Sequence, residues 1–308
     1  MDTTLFSDYT WAAYGAIAYV FVAFALFALG KMSYQLFHPG IDVKKELVIN
    51  DNFSFSIAHT GYFIGLLLAI GGTIIGESNG LIADIVDMII YGTLAILLLN
   101  LSIFFNDKVI LRKFSVEKEI IVDRNAGTGL VEGASAVAAG LILFGAISGD
   151  SSFPLLSIFT GDYPADVVHP AFGLLTAVAF WAIGQLAIVL TTKVYNWITP
   201  YDIHQHIEED NVAVGLGFAG AIVAIGILIS YALMGNFDGW GVSLLSVLTE
   251  LVIGLIFLPV ARYLADKILL PGQDLTDELV NQEKANVGAA LIEAFSYIGG
   301  AVLITWCI

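Results

Sequence analysis

Cysteine is nearly absent from this chain: Cys307, next to the C-terminus, is the only one. No intrachain disulfide and no cysteine metal cluster can form from it. Charge is scarce too. Only 13% of residues are charged, against about 25% in an ordinary soluble domain. Bases are scarcer still, with 12 Lys and Arg facing 28 Asp and Glu for a formal net charge of -16. Nucleic-acid binding wants a basic footprint, so that class of partner is excluded. No phosphate-binding glycine loop, nucleophile elbow or HExxH occurs, so an enzyme is the least expected class and no cofactor is implied.

Hydrophobic residues, by contrast, make up 58% of the chain. They fall in recurrent runs long enough to cross about 30 Å of hydrocarbon at 1.5 Å per residue. The pattern predicts an all-α polytopic membrane protein with eight transmembrane helices, at 11–36, 53–75, 82–111, 126–148, 168–195, 212–234, 240–270 and 286–308. The first ten residues carry Asp2 and Asp8 and no base, so the first helix is read as a retained span and not a cleaved leader.

The bases follow the spans. Lys31, Lys44 and Lys45 lie at or after the first helix, and Lys108, Arg112, Lys113, Lys118 and Arg124 at or after the third. Lys193 follows the core of the fifth, while Arg262, Lys267 and Lys284 flank the loop after the seventh. The opposite side has no base. The positive-inside rule makes the basic side cytoplasmic and both termini extracytoplasmic.

The segments on the basic side repeat. ELVINDN ends at Asn52, EIIVDRN at Asn125, QHIEEDN at Asn211 and ELVNQEKAN at Asn286. Pro39, Pro200 and Pro271 precede them in HPGID, TPYDI and LPGQD. Each Asn opens a helix, and the helices after Asn125 and Asn211 are rich in small residues, as in NAGTGLVEGASAVAAG. The chain thus reads as four parallel two-helix repeats, related about an axis along the membrane normal and forming two four-helix halves. The halves are 1–148 and 168–308, joined by an extracytoplasmic linker at 149–167. An Asn at a helix start is most simply an N-cap. Small residues allow close helix packing in lipid, so the even-numbered helices are expected innermost and the Leu/Ile/Phe-rich odd helices against lipid.

The stretch VYNWITPYDIHQHIEEDNVAVGLGFAGAIVAIGILI from Val194 resembles the first repeat of the YjfL-like bacterial inner-membrane family, domain of unknown function 350. The end, KANVGAALIEAFSYIGGAVLITWCI, resembles that family's second repeat. Typical members have two such units, so the chain looks like two members fused. Unit one departs most, with FSFSIAHTG after its Asn. The resemblance implies a bacterial inner-membrane protein, often encoded near membrane-stress or polyamine-related genes, and brings no catalytic residues.

Seven residues beyond each repeat Asn stand His59, Glu132, Phe218 and Glu293. Each lies about 10 Å inside its helix at 1.5 Å per residue. Glu250 sits near the middle of the seventh helix. Charged groups at such depth cost at least a few kcal/mol and default to functional candidates. His59, Glu132, Glu250 and Glu293 therefore form a candidate ion or proton site, with simple hydrogen bonding to a neighbouring helix as the structural alternative. Asn100, Gln185, Ser56 and Thr60 are potential partners or interhelical glue. His204, His206, Glu208 and Glu209 could bind a metal, but a solvated loop explains them better; His169 and Asp166 read as interfacial. Two functions stay open: a channel or transporter for a small cation, proton or polyamine-like solute, and a scaffold recruiting cytoplasmic stress proteins. The bilayer is the implied partner in either case, with a homo-oligomer also allowed.

Overall fold

The computed structural model describes residues 3–75, 78–148, 155–161, 171–234, 237–270 and 272–307, with the side chains of 3–12 and 156 excepted. Pro271, Asp166, His169 and most of the 149–167 linker lie outside the described residues. Eight long apolar helices carry the fold: α1 (Thr3–Phe37), α2 (Phe53–Gly71), α3 (Leu81–Phe105), α5 (Ala126–Ile147), α7 (Phe172–Ile198), α9 (Val212–Leu233), α10 (Trp240–Leu264) and α12 (Val287–Cys307). Between them lie the short helices α4 (Val116–Ile121), α6 (Leu156–Thr160), α8 (Ile203–Glu208) and α11 (Leu275–Val280). No strand occurs among the described residues. Each long helix has the length and apolarity to span a bilayer, as read from the sequence.

Helices α3 and α10 each end in a turn of π-helix, Asn106–Ile110 and Ala265–Leu269. The sequences there, NDKVI and ADKIL, are a further repeat of the second and fourth units. Such widened turns leave backbone and side chains displaced from the regular ladder, and they recur at functional sites.

Glycine sets the order of the even-numbered spans. A Cβ on Gly61 of α2 would lie 2.3 Å from the Cα of Gly133 in α5. One on Gly215 of α9 would meet Gly127 of α5 at 2.6 Å, and one on Gly220 would meet Ala294 of α12 at 2.5 Å. The backbones therefore touch along a continuous row, α2–α5–α9–α12. The join between the halves, α5 against α9, is as intimate as the joins within them. In lipid, where apolar burial gives no drive between helices, this close packing supplies the association.

The odd-numbered spans cover one side of the row. Leu26 of α1 and Leu66 of α2 fill the space over Gly92 and Gly30, and Ile142 of α5 that over Gly184 of α7. Helix α10 lies on α9 through Gly254 and on α12 through Gly300. The even-numbered spans are thus covered on one side only, not enclosed as the innermost layer expected of them. On the other side Thr60, Ile64 and Leu67 are exposed, and a shallow groove of about 420 Å³ runs past Thr60, Gly133, Leu216, Val223 and Ile298.

The four repeat asparagines start the row's helices. The Oδ1 atoms of Asn52, Asn125, Asn211 and Asn286 accept the backbone N–H three residues on, at 2.9 to 3.1 Å. The other end of the amide does something an ordinary cap does not. Nδ2 of Asn52 donates to the Ile120 carbonyl, Asn125 to that of Ile207 and Asn211 to that of Leu279. Each asparagine thereby ties its unit to the short helix of the next unit. Asn286 stands at the end of the row and donates only to Glu278 of its own unit, at 2.7 Å. In the first three units the residue before the asparagine is left-handed: Asp51 at φ 47°, Arg124 at φ 57° and Asp210 at φ 61°. The fourth connection, two residues longer, has no such residue.

Candidate functional site

Glu293 and Glu132 occupy one repeat position, yet their surroundings differ in kind. Glu293 is wholly buried on α12. Its Oε1 accepts from the hydroxyls of Tyr297 at 3.0 Å and Tyr195 at 3.2 Å, and pairs with the Arg262 guanidinium. Arg262 also donates to Thr276 Oγ1 at 3.3 Å and lies 5.7 Å from the centre of the Tyr201 ring. Gly217 gives the carboxylate room, since a Cβ there would stand 2.3 Å from Oε2. The result is an ion pair, charge neutral and held by four helices, with Glu293 Oε2 and the Tyr201 hydroxyl buried beside it without hydrogen-bond partners. Arg262, which in the sequence flanks the loop after the seventh helix, is buried inside α10. Its guanidinium can sit at that depth because a carboxylate meets it there.

Glu132 on α5 has no such partner. The charged group nearest to it in electrostatic effect is another acid, Asp107 of the α3 π-turn. Ile103 stands in α3 where Arg262 stands in α10, counting back from the shared Asp-Lys pair. Around the two acids runs a polar seam. Ser135, one turn beyond Glu132, donates to Asn106 Oδ1 at 2.8 Å. Asn106 Nδ2, Asp107 Oδ1 and the Thr128 hydroxyl are buried without hydrogen-bond partners. Unpaired buried polar groups of this kind cost roughly 1–3 kcal/mol each. Such a group in a native structure calls for an explanation: strain, a catalytic role, or a bound water or ion.

His59 is not brought to either glutamate by an ion pair or hydrogen bond. Its ring is enclosed by Phe63 at 4.3 Å, Tyr34 at 4.6 Å and Phe55 at 5.2 Å, and both ring nitrogens are unpartnered. Tyr34, which packs on His59, also feels the Glu132 and Asp107 charges. The second half repeats the arrangement with apolar chemistry, Tyr195 against Phe218 at 5.3 Å. At the open end of this cluster His38 stacks on Tyr34 at 4.3 Å, and burial holds its imidazole below the usual value.

Glu250 lies apart from both glutamates. It sits on the α10 face between Ser246, which donates to the Ala232 carbonyl of the α9 terminus, and Gly254, which rests on Ile225 and Leu228. Its Oε2 has no partner. Asn100 joins three helices, donating to Ser33 and to the Tyr62 hydroxyl, both at 3.2 Å, and so acts as glue. Among the described residues no three His, Cys, Asp or Glu converge as metal ligands. His204 is instead within hydrogen-bond distance of the Ile110 carbonyl, 2.9 Å away.

Sequence reasoning missed Asp107, Asn106, Ser135, Arg262, Tyr195 and Tyr297. Two signals were present. Asp-Lys recurs at 107–108 and 266–267 inside apolar runs, and Arg262 lies before the end of its run.

The domain of unknown function 350 family model matches residues 6–147 and again 170–308. A curated relative from Aquifex aeolicus (strain VF5), described as a UPF0719 transmembrane protein, is 19% identical over 269 residues, covering 87% of this chain and 90% of its own. No solved structure matches. The chain belongs to the domain of unknown function 350 family and carries that domain twice.

Proposed function

We propose that this two-domain member of the family is an inner-membrane channel or transporter for a proton or small cation, with the first half carrying the site. The observation that supports it is the Glu132–Asp107 seam: Glu132 at membrane depth, Asp107 near the end of the α3 span, unpartnered polar atoms beside them and no ion pair to either acid among the described residues, the Lys108 charge acting on Asp107 from the next position in the chain. A positive charge entering there would gain two carboxylates, the Asn106 and Ser135 side chains and the neighbouring tyrosine. In the second half that role is already taken by Arg262, so Glu293 is structural in this reading. The basic side faces the cytoplasm and both termini face outward, as the positive-inside rule requires.

Flux in proteoliposomes tests the proposal, with pH- and Na⁺- or K⁺-sensitive dyes reporting. Wild type and the double variant Arg262→Met with Glu293→Gln should conduct, whereas Glu132→Gln and Asp107→Asn should lose at least tenfold while inserting normally. Equal flux in all four would mean that the seam carries nothing, and the scaffold reading would then lead. Orientation has its own test. A cysteine at Ser115, in a Cys307→Ser background, should react with an impermeant thiol reagent only after permeabilisation.

A further inference from the structure

Bases are rare in this protein, and three of the 12 meet at one place. A pocket of about 350 Å³ opens between the end of α3 and the end of α7, lined by Arg112, Lys113 and Lys193 together with His204 and Asn196. Its remaining wall is aliphatic, from Val109, Ile110 and Val189. Helix α8 closes the pocket through His204, whose Nε2 lies 2.9 Å from the Ile110 carbonyl. Lys113 is held by Asp202 at 2.5 Å. Arg112 and Lys193 are exposed, and among the described residues no carboxylate pairs with them.

The position of the pocket matters as much as its charge. The α3 span ends at Ile110 and the α7 span at Ile198. Arg112 is two residues past the first limit and Lys193 one turn inside the second. Trp197, 83% exposed, stands one turn from Lys193; an indole in that setting sits at the headgroup level of a bilayer. The cations therefore lie at the boundary of hydrocarbon and water, with aliphatic wall on the hydrocarbon side.

From this geometry we infer that the Arg112–Lys193 pocket binds the headgroup of an anionic phospholipid, phosphatidylglycerol or cardiolipin, and so clasps the two halves of the protein together. Arg112 offers a planar fork to the phosphate, and Lys193 a point charge. Asn196 and His204 line the same pocket and supply polar rim. Val109 and Val189 take the first methylenes of the acyl chains. A soluble phosphate would match the cations but leave the aliphatic wall unfilled. A lipid satisfies both. The two cations come from different halves, so a bound lipid bridges them beside the direct ties already there, Lys113 to Asp202 and Trp181 Nε1 to Ser102 Oγ at 2.7 Å. Basic pockets between spans are an established way for membrane proteins to hold acidic lipids. The inference stands independently of the ion reading, since none of its residues belongs to the Glu132 seam.

Thermal unfolding of the full chain in a neutral detergent tests it, with lipid added in micelles. Cardiolipin or phosphatidylglycerol should raise the Tm of wild type by several degrees, by the linkage between binding and stability. Phosphatidylcholine and inorganic phosphate should not, and added salt should weaken the effect because the contact is exposed. Arg112→Gln with Lys193→Gln should lose at least half of the shift. Lys44→Gln with Lys45→Gln removes the same charge elsewhere on the same side and should keep it. Should the double pocket variant misfold, Lys193→Gln alone, scored by native mass spectrometry for retained lipid, decides: it should retain fewer anionic lipids than wild type. Overturning results are an equal shift with phosphatidylcholine, full reproduction by inorganic phosphate, or undiminished response and retention in the pocket variants.

Discussion

Removing the Arg262 guanidinium while leaving Glu293 in place should be among the most damaging single changes in the chain. Arg262→Met takes away the cation that, among the described residues, alone pairs with a carboxylate that has no exposure at all. The two tyrosine hydroxyls remain, at 3.0 and 3.2 Å, but neither carries charge. Breaking a buried pair by deleting one partner costs about 3–5 kcal/mol, because the other charge stays behind uncompensated. The lost bond to Thr276 and the lost stacking on Tyr201 add to it. The double variant Arg262→Met with Glu293→Gln removes both charges, and the Gln carbonyl still accepts from Tyr195 and Tyr297. Its loss should fall to about 1–2 kcal/mol, the scale of an imperfect neutral hydrogen-bond exchange. Equilibrium unfolding in mixed micelles measures the set, and the non-additivity of the cycle is the quantity of interest. If Arg262→Met were as stable as the double variant, or more so, the pair would not be a coupled buried unit and the division between the halves would lose its basis.

Three further outcomes follow from the geometry. Asn125→Ala removes a cap and donors to the Ile207 carbonyl and Glu119, and should cost about 2–4 kcal/mol at roughly 1 kcal/mol per bond; Asn286→Ala, at the end of the row, should cost visibly less in the same unfolding assay. Gly61→Ala drives a Cβ into the Gly133 backbone and should destabilise by about 1–3 kcal/mol or more, whereas Gly241→Ala, in open space on α10, should be neutral or stabilising by up to about 1 kcal/mol. The Asp202 carboxyl is held below its usual value mainly by the Lys113 hydrogen bond, so the folded state releases that proton more readily than the unfolded. The pair's contribution is therefore present above about pH 4 and lost as pH falls through the depressed value. At 41% side-chain exposure it is a small, salt-screened effect, and Tm curves of wild type and Lys113→Ala should converge as pH is lowered below about 4.

The amino-acid order alone determined the eight spans, because a bilayer demands about 20 apolar residues for each crossing. It determined the four-unit repeat as well, since ELVINDN and its three relatives sit at the same point of each unit. The cap at each Asn was legible for a local reason: the accepting N–H is only three residues away. The reach of Asn52, Asn125 and Asn211 to the next unit was not legible. The atoms that receive those bonds lie 68 to 82 residues on in sequence, and only the packing of the row brings them near.

The same distinction separates the two glutamates. Spacing placed Glu132 and Glu293 in register, and at that level they are alike. What each one meets is contributed by another helix: Arg262 of α10, 31 residues before Glu293, and Asp107 of the α3 π-turn beside Glu132. A repeat pattern fixes where a side chain stands along its own helix. Its charge partner is set by the rotation and approach of the neighbour, and those follow from which glycines let two backbones touch. Only the tertiary structure could therefore show that one carboxylate is neutralised by its own chain and that the other is not.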